Sequence, residues 1–188
     1  MSLRICFDLD DDDLQHLKML MKQASRAGRE VGDKKILKKC RKMIGDVEKA
    51  KAPEFIKERI RVLGALIDMV EDKSWNLPEP ERDHVLQALV YFSDPEDLIP
   101  DQTPGLGFLD DAIMIELVGR ELKPELDAYR DFVAFRDAEI ARRGLKAKEI
   151  GRAEWLEEQR HQLIDRMRRR RRARGSGRNG RGSAFSFW

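Results

Sequence analysis

The sequence predicts an all-α protein, a bundle of about seven helices around a central apolar helical hairpin, followed by a flexible basic tail. Three observations lead there. Apolar residues recur at the i, i+3, i+4 spacing of a helix face along nearly the whole chain, strand-like alternation is almost absent, and clusters of Pro, Gly and Asp cut the pattern into segments. A chain of 188 residues, 41% of them hydrophobic, can bury a single core without a disulfide or metal staple.

Each element has its own signature. Asp10 is placed to cap a first helix, whose face is Leu14, Leu17, Leu20, Met21 and Ala24, and the acids after it meet the positive helix end. A second helix has Ile36, Leu37, Cys40, Ile44 and Val47 on one side and Lys34, Lys35, Lys38, Lys39, Arg41 and Lys42 on another. Pro53 suits the first position of a third helix, with Phe55, Ile56, Ile60, Leu63, Leu66, Ile67 and Val70 as its face. The stretch KSWNLPEPE around Trp75 reads as a loop. A fourth helix from about Glu81 to Phe92 and a fifth from about Asp111 to Leu122 are apolar on more than one side, as helices in the middle of a bundle are. Pro124 opens a sixth helix, with Leu126, Tyr129, Phe132, Val133, Phe135 and Ile140 as its face, and Gly144 ends it. A seventh, from about Ala147 to Arg172, carries only Ile150, Leu156, Leu163, Ile164 and Met167, which marks a peripheral helix that runs into an Arg block.

Charge divides the chain. The net of +2 conceals nine Arg and no acid from Arg166 onward, so residues 1–165 hold 28 bases against 35 acids and carry −7. The expected organisation is an acidic helical domain over 1–165 with the hairpin at 85–122, then an Arg-rich tail over 166–188. The two cysteines, Cys6 and Cys40, lack CxxC spacing, which argues against a disulfide framework or zinc site and for a reducing, cytoplasmic setting. The start MSLRICFDLDDDDL has no signal-peptide pattern, and every apolar run falls short of the ~20 residues of a membrane span.

Catalytic motifs are scarce. The opening RICFDLDDDDL resembles the DxD start of haloacid dehalogenase-like phosphatases, but the strands such chemistry needs are missing and Asp12 and Asp13 occupy the place of the usual hydroxyl residue. His16, His84 and His161 are isolated, and there is no GxSxG, Walker or dinucleotide fingerprint. The expectation is therefore a protein without enzymatic activity.

One segment stands apart, YFSDPEDLIPDQTPGLGFLDDAIMI from Tyr91 to Ile115. Asp94-Pro95-Glu96-Asp97 has the form of a capped helical turn, Pro100 and Pro104 stiffen the backbone, Gly105 and Gly107 permit positive φ, and Asp110 or Asp111 can cap the next helix. The alternative is that Asp97, Asp101, Asp110 and Asp111 converge on a divalent cation, as a metal-binding protein or metal-dependent enzyme would arrange them, although the spacing is not that of an EF-hand. Tyr91, Pro95, Asp97, Leu98, Ile99, Pro100, Asp101, Pro104, Gly107, Leu109, Asp110, Asp111 and Ala112 fall at the positions of a pattern that is similar to the YkvA-like bacterial domain, over roughly Val85 to Leu122. The resemblance implies a small helical hairpin and assigns no reaction. Many relatives in that family are more hydrophobic around the hairpin, which suits association with membranes, whereas Gln102, Glu116 and Arg120 here depart from that pattern.

The tail suggests a partner. Arg166, Arg168, Arg169, Arg170, Arg171, Arg172, Arg174, Arg178 and Arg181 form a composition suited to the phosphates of RNA or DNA or to an acidic protein, with a solvated solubility tail or folding back onto the acidic body as the plainer alternatives. Phe185, Phe187 and Trp188 are aromatic groups that favour a groove, stacked bases or a partner's pocket. Peripheral contact with an anionic membrane is a third use of the same residues. The leading expectation is an interaction module or adaptor, with no cofactor other than the divalent cation named above.

Overall fold

The computed structural model describes residues 10–27, 32–50, 52–93, 103, 107–144 and 154–176. Among them are α1 Asp11–Ala27, α2 Asp33–Lys49, α3 Glu54–Glu71, α4 Glu79–Val90, α5 Leu109–Glu121, α6 Lys123–Arg143 and α7 Glu154–Ser176, and a 3-10 turn at Tyr91–Ser93 prolongs α4. No strand occurs among the described residues, and the all-α bundle expected from periodicity is what forms.

Helix ends follow local chemistry. Asp10 Oδ1 accepts the N–H groups of Asp12 and Asp13 at 2.9 Å each, while Asp13 Oδ2 accepts the Asp10 N–H at 3.2 Å, a reciprocal cap built from two acids. Gly144 ends α6 at φ 64, with its N–H donating to the Ile140 carbonyl. The start of α5 differs from expectation. Phe108, in the left-handed region at φ 65, holds the N-cap position without a side-chain bond, so Asp110 and Asp111 are not caps. They occupy the second and third helical positions, where the dipole still favours acids. Similarly, Pro53 is the residue before α3 and not its first turn.

Helix α3 lies at the centre, packing against α2, α4, α5 and α6. Its Ile56, Ile60, Leu63, Leu66, Ile67 and Met69 are all buried. The near-uniform apolarity of α4 and α5 is explained by their places against this helix. Gly119 lets α5 come close, since a Cβ there would stand 3.2 Å from Val62 Cγ1 on α3.

The loop after α3 is a second organiser. Trp75 is fully buried, its ring centroid 4.9 Å from that of Phe132 and 6.0 Å from that of Tyr129, both on α6. Asp72 holds the loop in shape: its Oδ1 accepts the Ser74 and Trp75 N–H groups at 2.8 and 3.2 Å, and its Oδ2 accepts Arg136 Nη1 at 2.6 Å and the Tyr129 hydroxyl at 3.2 Å. Burial alone would push the Asp72 carboxyl up, but the bonds from Ser74, Arg136 and Trp75 outweigh it and hold the acid below its ordinary range. The same surroundings, burial first and the Asp72 charge second, push the Tyr129 hydroxyl up.

The close approach at Gly119 yields a test. Gly119→Leu is expected to destabilise the protein by about 1–3 kcal/mol through overpacking. Chemical denaturation should also show that Val62→Ala combined with Gly119→Leu costs less than the sum of the two single changes, because both act on one contact.

Candidate functional site

The apolar stripe of α7 is thin, and Leu156, Leu163, Ile164 and Met167 are its buried side chains. They set the helix antiparallel to α6: Trp155 stacks near Phe135 at 5.8 Å, Arg166 pairs with Asp131, and Arg170 reaches Asp127 at 4.0 Å. The helix does not stop where the apolar residues stop. It continues through the Arg run to Ser176, and Arg174 Nη1 donates to the Arg120 carbonyl at 3.1 Å.

What holds this end of α7 is a pair of buried acids. Helices α4 and α6 begin alike, with Glu79-Pro80-Glu81 and Lys123-Pro124-Glu125, so that each has Pro second and Glu third. Pro is tolerated there because the first-turn N–H groups have no intrahelical partner, and Glu is favoured by the positive helix end. Glu81 is 2% exposed and Glu125 0%. A carboxylate so placed must find a cation, because burying an unpaired charge costs several kcal/mol.

Arg168 and Arg171, one turn apart on α7, supply it. Arg168 Nε and Nη2 donate to the two Glu81 carboxylate oxygens at 2.9 and 3.0 Å, a parallel fork. Arg171 lies between the acids, with Nη1 3.4 Å from Glu125 Oε1 and Nη2 3.6 Å from Glu81 Oε1. His84, one turn along α4 from Glu81, has Nδ1 3.7 Å from the same Glu125 oxygen. Burial raises the Glu81 carboxyl, but the Arg168 hydrogen bonds and the charges of Arg168 and Arg171 win and hold it below the ordinary glutamate range. Chemically, the arrangement is a charge clamp between three helices.

The residues singled out from the sequence therefore fall into groups. Arg166, Arg168, Arg170, Arg171 and Arg174 all meet groups of the body. Arg169 and Arg172 are exposed, and neither has an acidic partner among the described residues. Gly175 and Ser176, expected in the tail, close α7. Arg178, Arg181, Phe185, Phe187 and Trp188 lie outside the described residues, as do Asp97 and Asp101. Asp110 and Asp111 sit in the first turn of α5, each 8% exposed. Among the described residues no group of three or more His, Cys, Asp or Glu is arranged to hold a metal ion. The Asp111 charge, added to the larger effect of burial, helps to push the Cys40 thiol up to about 12. Glu81 and Glu125 have no place among the sequence-predicted site residues, and His84, read there as isolated, stands 3.7 Å from Glu125; the signal for the acids is the repeated Pro-Glu at two helix starts.

The clamp sets an acid limb of stability. Because the folded Glu81 titrates below its unfolded value of about 4.3, its contribution is complete above that pH and is lost as pH falls through the folded value. Arg168→Met should cost about 1–3 kcal/mol near pH 7. In urea titrations the deficit should shrink below about pH 4, where the stranded acid protonates; an equal deficit at both pH values would mean that only packing had been removed.

Comparison with known proteins bears on the hairpin. Residues 85–117 match the model of a family described as "Protein of unknown function (DUF1232)". A segment of 42 residues, 22% of this chain, is 45% identical to the "Uncharacterized membrane protein YkvA" of Bacillus subtilis (strain 168). That match spans 40% of the relative's length. No solved structure matches the chain. Among the described residues no helix is long and apolar enough to cross a membrane. Residues 85–117 are thus a YkvA-like segment, of a family whose function is unknown.

Proposed function

We propose that this chain is a non-enzymatic, cytoplasmic interaction module that binds nucleic acid through the arginines its own body leaves unengaged. One observation carries the reading. Arg169 and Arg172 stand exposed on α7, while the neighbouring Arg168 and Arg171 are held by buried acids. The run is longer than the clamp needs, and Arg178 and Arg181 extend it with no acid before residue 188. A guanidinium matches a phosphate with two parallel hydrogen bonds, and backbone binding of this kind needs no base-reading element. Phe185, Phe187 and Trp188 add ring faces on which unpaired bases can stack. The free, buried thiol of Cys40 suits a reducing compartment.

A second reading is favoured by the name of the Bacillus relative, a membrane protein. Under it, the same arginines and aromatics would rest on an anionic leaflet.

The clamp dictates how the test is built. Deleting everything from Arg166 would remove the buried Met167 and strand Glu81 and Glu125, so any effect would mix binding with unfolding. Truncation after Ser176 and the double substitution Arg169→Gln with Arg172→Gln leave the clamp in place. Four phosphate contacts on a single strand weaken binding about fiftyfold between ~50 and ~200 mM salt. Anisotropy titrations of labelled RNA should show a dependence of that size for the intact chain and a shallower one for each variant. No binding by the intact chain at ~50 mM salt, a condition that strengthens phosphate contacts, sinks the nucleic-acid reading; flotation with anionic vesicles in its place supports the membrane reading.

A further inference from the structure

The arginine run draws attention to α7, yet most of its charge is spent on the body. Another basic surface has no such use. On α2, Lys34, Lys35, Lys38, Lys42 and Lys49 are all exposed. At 3.6 residues per turn these positions fall within about 60° of Lys38 around the helix axis. They form one row about 22 Å long.

The row has few counter-charges. Lys34, Lys35, Lys38 and Lys49 have no acidic partner among the described residues. Lys42 is only 3.8 Å from Asp46 with its side chain 81% exposed. Asp33, beside Lys34, pairs with Arg82, and Glu71 pairs with Arg41; Glu48, beside Lys49, is exposed about 100° round the helix from it.

The placement is electrostatically uphill. Lys34 and Lys35 stand in the first turn of α2, at the positive end of the helix, where cations are disfavoured. Lys34, Lys38 and Lys42 also repel one another at i, i+4 spacing. The opposite side of α2, with Ile36, Leu37, Cys40 and Val47, is buried in the core. The helix can therefore neither roll the lysines away from solvent nor insert into a bilayer. Only contact at the surface is open to it, and an anion along the row would relieve both repulsions.

We infer that the α2 lysine row is a second contact surface for the phosphate backbone of a nucleic-acid duplex. A single strand of B-DNA presents about six phosphates over ~22 Å, close to the number of cations in the row. Lysines on flexible stems are point charges, so the contact is independent of sequence. The inference takes its ligand from the nucleic-acid reading above but uses none of the same residues.

The test is anisotropy with a labelled duplex of arbitrary sequence across a salt series. It compares the intact chain, the variant Lys34→Gln/Lys35→Gln/Lys38→Gln, and Arg169→Gln/Arg172→Gln. The triple variant should match or exceed the melting temperature of the intact chain and lose about 2.7 from the slope of log K against log salt, at ~0.9 per phosphate contact. The same loss should appear in the Arg169→Gln/Arg172→Gln background. Duplex binding by the intact chain with an unchanged slope in the triple variant would overturn the second surface and leave the first reading standing. No duplex or RNA binding by the intact chain overturns both, and triple substitution that abolishes adhesion to anionic vesicles alone assigns the row to a membrane instead.

Discussion

Two carboxylates that share a dry site must have cations delivered to them, and in this fold that requirement decides where the last helix goes. Glu81 and Glu125 are fixed at the starts of α4 and α6, in sequences that place Glu third behind Pro. Neither can move away, since each is locked in the first turn of its own helix. Arg168 and Arg171 of α7 answer both, and by doing so they turn a helix with a meagre apolar stripe into part of the body. Hydrophobic burial alone would attach α7 weakly; the desolvated charges make its departure costly. The Asp72 network acts in a similar way further along α6, joining the loop before α4 to that helix through Arg136 and Tyr129.

Much of the fold was legible because its signals are local. Periodicity located the helices, Asp10 and Gly144 marked two ends, and the loop around Trp75 was readable from its turn formers. The resemblance of the segment around Tyr91 to Ala112 was legible too, since a dense pattern of Pro, Gly and Asp survives in a single sequence. What was not legible was relational. Arg168 and Glu81 are 87 positions apart, and Arg171 and Glu125 are 46 apart. A one-dimensional pattern records that an arginine run exists but not which member faces inward. The start of α5 differs for another reason: a left-handed Phe108 occupies the cap position for which Asp110 and Asp111 looked suited, and an aromatic residue gives no advance sign of that conformation.

The distribution of unspent charge also changes how the surface is understood. From composition, the body is acidic and the end of the chain basic, and the two appear as donor and recipient of one attraction. In three dimensions the attraction is satisfied within the molecule by four of the described arginines, Arg166, Arg168, Arg170 and Arg171. Among the described residues, cations without an acidic partner gather on the outer side of α7 and along the row on α2, where a helix keeps lysines against its own dipole. A net charge near zero thus coexists with two strongly positive surfaces, because neutralisation is local and not averaged over the molecule.

Residues 168–172 are five arginines in succession, and this repetition bears on how the last helix finds its alignment. Sliding α7 by one position and turning it by about 100° would present Arg169 and Arg172 to the same two acids, with identical side chains at identical separation. The electrostatic part of the docking is therefore nearly degenerate, like a ratchet whose teeth are all alike. Leu156, Leu163, Ile164 and Met167, helped by Trp155 against Phe135 and Arg166 against Asp131, distinguish the teeth, since the same slip would displace them from their places. Division of labour follows: the charges decide that the helix stays, and a handful of methyl and methylene groups decide where. Such a clamp tolerates insertion or loss of an arginine far better than exchange of one small apolar side chain.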